Sequence, residues 1–352
     1  MRVLILGGTR FVGPHVVRQL VARGHEIAIF HRGATETELP VHVLHVHGDF
    51  ASFSEHLDEL KRLNPEVVLD MAPLREEDAA RVKAFVGVAR RLVVISSQDV
   101  YRAFGRLWRT EPGSPDAVPL TEDSPLREKL SNAGLDYNKT AIERAVINDP
   151  NLPATILRLP ATHGPGDLQH RLFSYIRRMD DGRPAILLDE AYAGWRWSRG
   201  YVEDVAHAIA LAVTDERAAE RVYNMAYSET LSEADWVRAI GRVSGWKGEV
   251  VALPADRLPS SLRRDMFDFS QQYEVDSSRI RRELGYAEIM SFDEALRRTI
   301  AWERTNPPEQ ISPEDFDTPR KTLRWPRMIG EQTHLLPSGN DPTGKEMKRF
   351  HY

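Results

Sequence analysis

The chain has 352 residues, no cysteine and a formal net charge of −5 at pH 7. This length is enough for a large core and two substructures. The acidic balance argues against nucleic acid as the main ligand, and the lack of cysteine excludes disulfides, thiol catalysis and thiolate metal sites. The first predicted strand starts at Met1, and no segment approaches about eighteen unbroken apolar residues. We therefore expect a cytoplasmic protein without a signal peptide or a membrane segment.

The first thirteen residues run a buried strand into a turn and a helix. Residues 3–6 are apolar and mostly branched, which is typical of a central parallel strand. From residue 12 onward, apolar residues recur at the spacing of one helix face. The glycines let the backbone turn tightly, so that a phosphate can rest on the free N–H groups at the helix N-terminus. We predict a nucleotide site here, formed by Gly7, Thr9, Arg10, Phe11, Val12 and Gly13.

The second predicted strand, residues 25–31, ends at Arg32, where a dinucleotide fold meets the adenosine ribose. An acidic residue there would accept hydrogen bonds from the ribose 2′-hydroxyl and select NAD, whereas an arginine can pair with the 2′-phosphate of NADP. Arg10 stands where such turns often carry a second glycine, and we expect it near Arg32. The sequence therefore predicts NADP as the cofactor, with NAD as the alternative. The simpler interpretation of Arg32 is a solvated loop residue.

Residues 41–46 alternate with histidines, which predicts a third strand. The histidines suggest a metal site, but we expect His45 and His47 to point to opposite faces, and no acidic residue stands at ligand spacing. The sequence therefore predicts edge-strand residues and no metal site. Asp49 and Phe50 are predicted to contact the cofactor at its adenine, although Asp49 could instead cap the next helix.

Strand and helix patterns alternate through the first half of the chain. Further strands are predicted over residues 66–71, 92–97 and 154–159, with helical segments between them. This alternation implies an α/β fold, a doubly wound parallel Rossmann sheet with its ligands at the carboxyl edge. Ser97 and Pro160 would both lie at that edge, and Pro160 is predicted to contact the cofactor.

The second half of the chain has a mixed pattern. Residues 1–165 are predicted to form the dinucleotide-binding domain, and residues 199–226 to complete its sheet. Residues 102–133 have little periodicity and predict a long loop over the site. Residues 166–304 are expected to form most of a smaller, interleaved substrate lobe. Residues 305–352, rich in proline and charge, predict an extended C-terminal tail.

Five motifs in order carry a family resemblance: GGTRFVG at the first turn, ISSQDVY and LRLPATHGPGD around two later strand ends, RGYVEDVA before a late helix, and the ending SSRIRRELGY…LRRTIAW. With these motifs the sequence resembles the extended short-chain dehydrogenase/reductase family, in its branch of NAD(P)-dependent nucleotide-sugar epimerases and dehydratases. The resemblance covers roughly residues 1–304. GGTRF and FHRG also resemble the atypical branch that includes chloroplast stem-loop RNA-binding proteins. Family members often pair through helices flanking the sheet, so the resemblance implies a homodimer.

The resemblance implies a proton-transfer tyrosine four residues before a lysine that holds the nicotinamide ribose, and a serine or threonine that orients the substrate hydroxyl. Ser97 matches the serine, and Lys139 matches the lysine as both a catalytic and a cofactor-binding candidate. Leu135 stands at the tyrosine position. Tyr137, two residues before the lysine, and Asp136, on the same predicted helix face as the lysine, are the other catalytic candidates. Their simpler roles are packing for Tyr137 and a helix cap for Asp136.

Arg199 matches a family arginine that contacts a phosphate-bearing substrate, and its simpler role is an ion pair with Glu203 or Asp204. The resemblance implies an NAD(P)-dependent epimerase, dehydratase or oxidoreductase that acts on a hydroxyl-bearing, nucleotide-sugar or sugar-derived small molecule. The displaced tyrosine and the GGTRF turn support a second hypothesis. In it, the chain is a non-redox NADP-binding sensor or an RNA-associated protein with a degenerate active site.

Overall fold

The computed structural model describes residues 1–35, 38–73, 76–128, 138–147 and 149–309. Its strands are β1 (Arg2–Leu6), β2 (Glu26–His31), β3 (Leu44–His47), β4 (Val67–Asp70), β5 (Arg91–Ser97), β6 (Ala154–Leu159), β7 (Ala161–His163), β8 (Ala185–Asp189), β9 (Arg199–Tyr201), β10 (Val222–Asn224) and β11 (Glu249–Leu253). Its α-helices are α1 (Val12–Ala22), α2 (Phe53–Arg62), α3 (Asp78–Lys83), α4 (Arg102–Leu107), α5 (Lys139–Val146), α6 (Phe173–Asp180), α7 (Glu190–Gly194), α8 (Val202–Thr214), α9 (Glu233–Ser244), α10 (Ser278–Leu284) and α11 (Phe292–Thr305).

Within the described ranges, seven parallel strands form the central sheet in the order β3–β2–β1–β4–β5–β6–β10. The chain winds outward from β1 in one direction and from β4 in the other. The strand order therefore reverses between β1 and β4, and ligands of such sheets bind outside the carboxyl ends of the strands at this point. The predicted α/β class with a doubly wound parallel sheet is confirmed.

The side chains of each central strand alternate between two cores. Val3 and Ile5 of β1 face the core that contains the buried sides of α1 and α8. Leu4 and Leu6 face the opposite core, which includes buried residues of α2, α3 and α5. Burial of each such side chain contributes about 1.5–3 kcal/mol, so helices on both faces hold the strand ends in place. Because both faces of these strands are buried, their sequences are continuously apolar and do not alternate between apolar and polar residues.

A smaller lobe is interleaved with the sheet. β8 and β11 pair in parallel, and α6, α9 and α11 pack in a core that includes Ile176, Val237 and Ile300. β7 pairs with β9, and α8 and β10 then return the chain to the central sheet. The sequence pattern did not predict β11, because its side chains are half-buried or exposed and give no clear periodicity.

The segment after β5 differs from the predicted long loop. α4 begins directly after Tyr101, and buried residues of this helix join an aromatic cluster with Trp195 and Tyr273. The expectation of a loop without secondary structure was therefore wrong over residues 102–107. The predicted tail lies outside the described residues from position 310 onward. In the part of the chain that is described, we find no helix with the length and apolar character needed to cross a bilayer.

Candidate active site

The turn between β1 and α1 forms a cradle for phosphate. An added Cβ at Gly13 would lie 2.2 Å from the Gly8 carbonyl oxygen, so only glycine lets α1 begin against this turn. Gly7 has a φ of +83°, and an added Cβ there would lie 3.1 Å from the Ala72 Cβ across the β1–β4 boundary. The first turn of α1 carries no acidic side chain. These residues therefore fit the pyrophosphate of a dinucleotide at the α1 N-terminus.

Phe11, immediately before α1, has a positive φ of 48°. A non-glycine residue in this region typically costs about 1–3 kcal/mol, so its surroundings must hold it there. Gly166, in the segment that follows β7, lies against it: an added Cβ at Gly166 would be 3.5 Å from the Phe11 Cα. The phosphate turn therefore lies next to the segment that leads into the smaller lobe.

The predicted adenosine end lies at the carboxyl ends of β2 and β3. The Arg10 Nε donates a hydrogen bond to the Thr35 Oγ1 at 3.0 Å, which places Arg10 over the loop that carries Arg32. Both arginines are exposed. The Asp49 carboxylate accepts a hydrogen bond from the Ala51 N–H at 2.8 Å and caps a short 3₁₀ turn. The capping role of Asp49 is thus present, and its contact with adenine stays a prediction.

Phe50 follows Asp49, and the guanidinium of Arg81 packs over its ring. The Arg81 Cζ lies 4.2 Å from the ring centroid, within cation–π range. Arg81 also pairs with Asp70, the last residue of β4, at 3.0 Å, and both side chains are buried. Burial raises the pKa of Asp70, and the Arg81 guanidinium offsets part of that rise. This pair fixes Phe50 and the end of β4, a constraint that the sequence pattern did not indicate.

Lys139 lies at the predicted nicotinamide end. Its Nζ donates hydrogen bonds at 3.0 Å to the Pro73 carbonyl oxygen, after β4, and at 3.0 Å to the Ile95 carbonyl oxygen, in β5. Ile95 is two residues before Ser97, which ends β5 and whose register partner Leu159 precedes Pro160. The fold therefore brings the predicted residues Lys139, Ser97 and Pro160 to one part of the carboxyl edge.

Several carboxylates act electrostatically on the half-buried ammonium of Lys139. Burial lowers the pKa of Lys139, and the carboxylates of Asp99, Asp70 and Glu143 oppose that change. Asp99 lies in the 3₁₀ turn Gln98–Val100, is only 6% exposed, and its backbone N–H donates to the Ser97 Oγ at 3.4 Å. This buried carboxylate next to Ser97 was not among the predicted site residues. Its position just beyond a strand end, two residues after Ser97, was the available signal.

The helix that carries Lys139 starts later than predicted. α5 begins at Lys139 itself, and Asn138 is its N-cap, with the Asn138 side chain accepting a hydrogen bond from the Ala141 N–H at 3.2 Å. The helical spacing predicted a start at Asp136. The Asn138 backbone, with φ −146° and ψ 74°, is not helical, so the helix does not run through residue 138 as predicted. Asp136 and Tyr137 themselves lie outside the described residues.

A buried network braces the site from below. The Arg158 guanidinium pairs with Glu143 at 2.7 Å, and Glu143 also accepts a hydrogen bond from the Ser96 Oγ at 2.5 Å. Arg158 donates to the Tyr101 hydroxyl at 3.0 Å, and that hydroxyl donates to the Asn224 Oδ1 at 2.6 Å. Burial raises the pKa of Tyr101 to about 12. The network ties α5, β5, β6 and β10 together and leaves Tyr101 as a structural phenol.

Arg199, the predicted substrate residue, is 8% exposed at the start of β9. Its guanidinium pairs with Glu233 at the start of α9 and lies 4.5 Å from the Trp236 ring centroid. The alternative partners, Glu203 and Asp204, are therefore wrong, because β9 directs Arg199 toward α9. Its contact with a substrate phosphate stays a prediction.

Asp204, in the first turn of α8, holds the residues before α11. Its Oδ1 accepts hydrogen bonds from the backbone N–H groups of Ile289 at 2.8 Å and Met290 at 3.1 Å. Among the described residues, the buried second oxygen Oδ2 has no hydrogen-bond partner. Burial raises the pKa of Asp204 to about 6 from an ordinary 3.8, and the two backbone donors oppose the rise.

Asp204 is expected to make folding stability depend on pH. The pKa of Asp204 in the folded protein, about 6, exceeds the ordinary 3.8. Its contribution to the free energy of unfolding is therefore complete below pH 3.8 and is lost as the pH rises through 6. Asp204→Asn keeps an oxygen for both backbone donors and does not titrate. Relative to wild type, we expect the variant to gain on the order of 2 kcal/mol in unfolding free energy between pH 4 and pH 8. Urea unfolding of both proteins at both pH values measures this gain. The same difference between variant and wild type at pH 4 and at pH 8 would contradict the prediction.

The histidines of β2 and β3 share one face of the sheet. The ring centroids of His45 and His47 lie 6.2 Å apart, and both rings contact His31. The expectation that His45 and His47 point to opposite faces was wrong, because side chains two residues apart in a strand lie on the same face. The sequence pattern did not relate His31, the last residue of β2, to these two histidines, because they lie on a different strand.

The parallel sheet, the glycine turn and the lysine at its carboxyl edge define a dinucleotide-binding α/β protein. Residues 3–226 match the family described as the NAD dependent epimerase/dehydratase family. The chain belongs to this family, and the predicted resemblance is confirmed.

Relatives and structures agree with this class. The chain is 28% identical over 264 residues to 2′-dehydrokanamycin reductase of Streptomyces kanamyceticus, covering 73% of this chain and 70% of the reductase. It is 21% identical over 259 residues to the chloroplast stem-loop binding protein of 41 kDa b of Arabidopsis thaliana, covering 70% of this chain and 64% of the plant protein, less than two thirds of it. The enzyme WbmG of Bordetella bronchiseptica, in complex with NAD and UDP, is similar in fold, with a TM-score of 0.64, 20% identity, and coverage of 87% and 95%.

Proposed function

We propose that the protein is an NADP-dependent oxidoreductase of the epimerase/dehydratase type. It oxidises, reduces or epimerises a hydroxyl-bearing carbon of a sugar-derived substrate, carried as a nucleotide sugar. It works as a cytoplasmic homodimer, as the family resemblance implies. The observation that carries the proposal is the Lys139 ammonium at the carboxyl edge of the sheet, where it donates hydrogen bonds to the Pro73 carbonyl after β4 and to the Ile95 carbonyl, two residues before Ser97.

The chain supplies a separate group for each part of the dinucleotide. The turn with Gly7 and Gly13 fits the pyrophosphate, Arg10 and Arg32 fit the 2′-phosphate, and Lys139 fits the nicotinamide ribose. When bound, the nicotinamide supplies the hydride donor or acceptor. The chain itself then has to orient the substrate, exclude water and move one proton.

Three carboxyl or phenol groups are candidates for the proton transfer. Asp136 and Tyr137 precede Lys139 in sequence, and Asp99 is the buried carboxylate two residues after Ser97. We assign the orienting hydrogen bond to the Ser97 hydroxyl, because it ends β5 at the carboxyl edge. Asp99 is the favoured proton-transfer group among the described residues, because it is only 6% exposed and its backbone N–H donates to the Ser97 Oγ at 3.4 Å.

The names of relatives support the substrate class. One relative is named a reductase of a dehydro compound, and WbmG was crystallised with UDP beside NAD. For this chain, Arg199 is the cation proposed to meet a substrate phosphate. Its present partner is Glu233, so a phosphate would have to compete with that carboxylate.

Calorimetric binding of NADPH and NADH tests the cofactor assignment. We expect NADPH to bind more tightly, and Arg32→Ala to remove about 1.5–3 kcal/mol of that preference, roughly a 10- to 100-fold change. Arg23→Ala is the matched control, because Arg23 is an exposed arginine at the opposite end of α1. If the purified, ligand-free protein bound neither dinucleotide at micromolar concentration, the proposed function would be wrong.

Turnover with UDP- and dTDP-sugars and their keto derivatives completes the same experiment. The enzyme is expected to change the absorbance of the reduced nicotinamide or to convert the sugar, and Asp99→Asn to lower kcat while dinucleotide affinity stays constant. Tight dinucleotide binding without turnover on any such substrate would favour the second hypothesis, a non-redox NADP sensor or an RNA-associated protein. The 21% identity to the chloroplast stem-loop binding protein is the observation that supports this alternative.

A further inference from the structure

Three imidazoles meet on one face of the sheet, at the carboxyl ends of β2 and β3. The strand register places His31 opposite His47 and Ile29 opposite His45, so the two β3 histidines flank the same side as His31. Their potential ligand nitrogens all lie within 4.8 Å of one another. The His31 Nε2 and the His45 Nδ1 are already 2.9 Å apart. The group is thus compact before any ligand enters it.

The donor set indicates a particular class of ion. Three imidazole nitrogens without a carboxylate suit Zn²⁺, Ni²⁺ or Cu²⁺ rather than Mg²⁺ or Ca²⁺. Three protein ligands and one open position are also the composition of many zinc sites. With Zn–N bonds of about 2.0–2.1 Å, tetrahedral ligand nitrogens lie about 3.3 Å apart. The observed separations bracket this value, so convergence needs only small rotations of the rings.

Burial and anchoring divide the three residues into one fixed ligand and two adjustable ones. His31 is 4% exposed, and its Nδ1 accepts a hydrogen bond from the Gly33 N–H at 3.1 Å. His45 and His47 are exposed at the edge of the sheet and can rotate toward it. An added Cβ at Gly33 would lie 3.3 Å from the His47 Cδ2, so the same loop limits the His47 ring on one side.

The hydrogen bonds of His31 also show which proton a metal ion would displace. Since the His31 Nδ1 accepts from Gly33, the neutral ring carries its proton on Nε2, and that proton bridges to the His45 Nδ1. A metal bound at Nε2 takes the place of this proton. The ring stays neutral only if its proton moves to Nδ1, so the Gly33 N–H, which now donates to that nitrogen, has to turn away.

We propose that His31, His45 and His47 form a binding site for a divalent transition-metal ion, with Zn²⁺ as the best match. The site is separate from Ser97 and from Lys139, whose Nζ lies at the carboxyl ends of β4 and β5, on the other side of β1. It adjoins the adenosine end, because Arg32 directly follows His31 and Thr35, on the same loop, contacts Arg10. The proposal does not depend on the proposed enzymatic function.

Titration of the full chain, without an affinity tag and after chelator treatment, tests the site with Zn²⁺ in calorimetry and Co²⁺ in visible absorption. We expect one equivalent of Zn²⁺ to bind and Co²⁺ to give the absorption of a four-coordinate site. His45→Ala combined with His47→Ala should weaken Zn²⁺ binding more than the roughly 10- to 100-fold that loss of a ligand-orienting residue costs. Both substitutions are at exposed positions, so the variant is expected to stay folded.

His42→Ala is the matched control, because His42 is an exposed histidine in the same segment but outside the cluster. It should leave Zn²⁺ affinity unchanged. Unaltered affinity in the double variant, or no binding by the wild type, would overturn the proposal. A circular-dichroism spectrum like that of the wild type confirms that each variant is folded, and His47→Asn provides a milder substitution if the double variant is not.

Discussion

Lys139→Met is expected to weaken NADPH binding about 10- to 100-fold, because a hydrogen bond to a charged group contributes about 1.5–3 kcal/mol. The substitution removes the ammonium proposed to hold the nicotinamide ribose. It also leaves the carbonyl oxygens of Pro73 and Ile95 without the donor they now have. Each buried acceptor without a partner costs about 1–3 kcal/mol, so we expect a lower free energy of unfolding as well. Calorimetry and urea unfolding measure the two effects separately.

Lys83→Met provides the matched control for this variant. Lys83 is exposed in the last turn of α3, so its loss should change neither dinucleotide affinity nor stability. Lys139→Arg keeps the positive charge but changes the shape of the group. We expect it to weaken NADPH binding too, because a planar guanidinium does not fit where the compact ammonium bonds the Pro73 and Ile95 carbonyls. Wild-type NADPH affinity in folded Lys139→Met would contradict the assigned role. Lower stability with unchanged affinity would show that Lys139 only ties β4 to β5.

Glu143→Gln is expected to lower the free energy of unfolding by about 3–5 kcal/mol, the largest stability effect that we predict. The amide keeps the shape of the carboxylate but leaves the Arg158 guanidinium as an uncompensated buried charge. Both side chains are 4% exposed, so water cannot take over the lost interaction. Guanidinium or urea unfolding of the variant measures the change.

Two comparisons isolate the buried pair. Arg238→Met breaks the Arg238–Asp235 pair, whose side chains are 57% and 52% exposed, and should cost no more than about 1 kcal/mol. Glu143→Gln combined with Arg158→Met removes both charges, and it should recover part of the stability lost in the single variant. Equal losses for Glu143→Gln and Arg238→Met would contradict the expected effect of burial.

The architecture was predictable because it depends on local patterns. Apolar runs that end at glycines or polar residues marked the strands, and their alternation with helical spacing left a parallel sheet as the simplest arrangement. The Gly7 and Gly13 turn, the strand end at Ser97 and the position of Lys139 followed from the same patterns and from the family motifs. All of them lie along the predicted carboxyl edge.

The partners within the site were not predictable, because they come from distant parts of the chain. Arg199 pairs with Glu233, which is 34 residues later, on the first turn of α9. Of the carboxylates that act on Lys139, Glu143 lies four residues later on the same helix, but Asp70 and Asp99 come from other elements at no regular spacing. For His45 and His47 the information was present but was applied incorrectly, since a period of two places both on one face. The later start of α5 depends on the Asn138 cap, which helical periodicity does not show.

The contact between Phe11 and Gly166 bears on the order in which ligands arrive. Phe11 has a positive φ, and Gly166, in the segment that connects β7 to the smaller lobe, lies close enough that an added Cβ there would touch the Phe11 Cα. A dinucleotide that settles on the glycine turn would therefore stiffen the entrance to the lobe where the substrate is proposed to bind. We therefore expect compulsory-order kinetics, with the dinucleotide binding first and leaving last, and random-order kinetics would contradict this coupling.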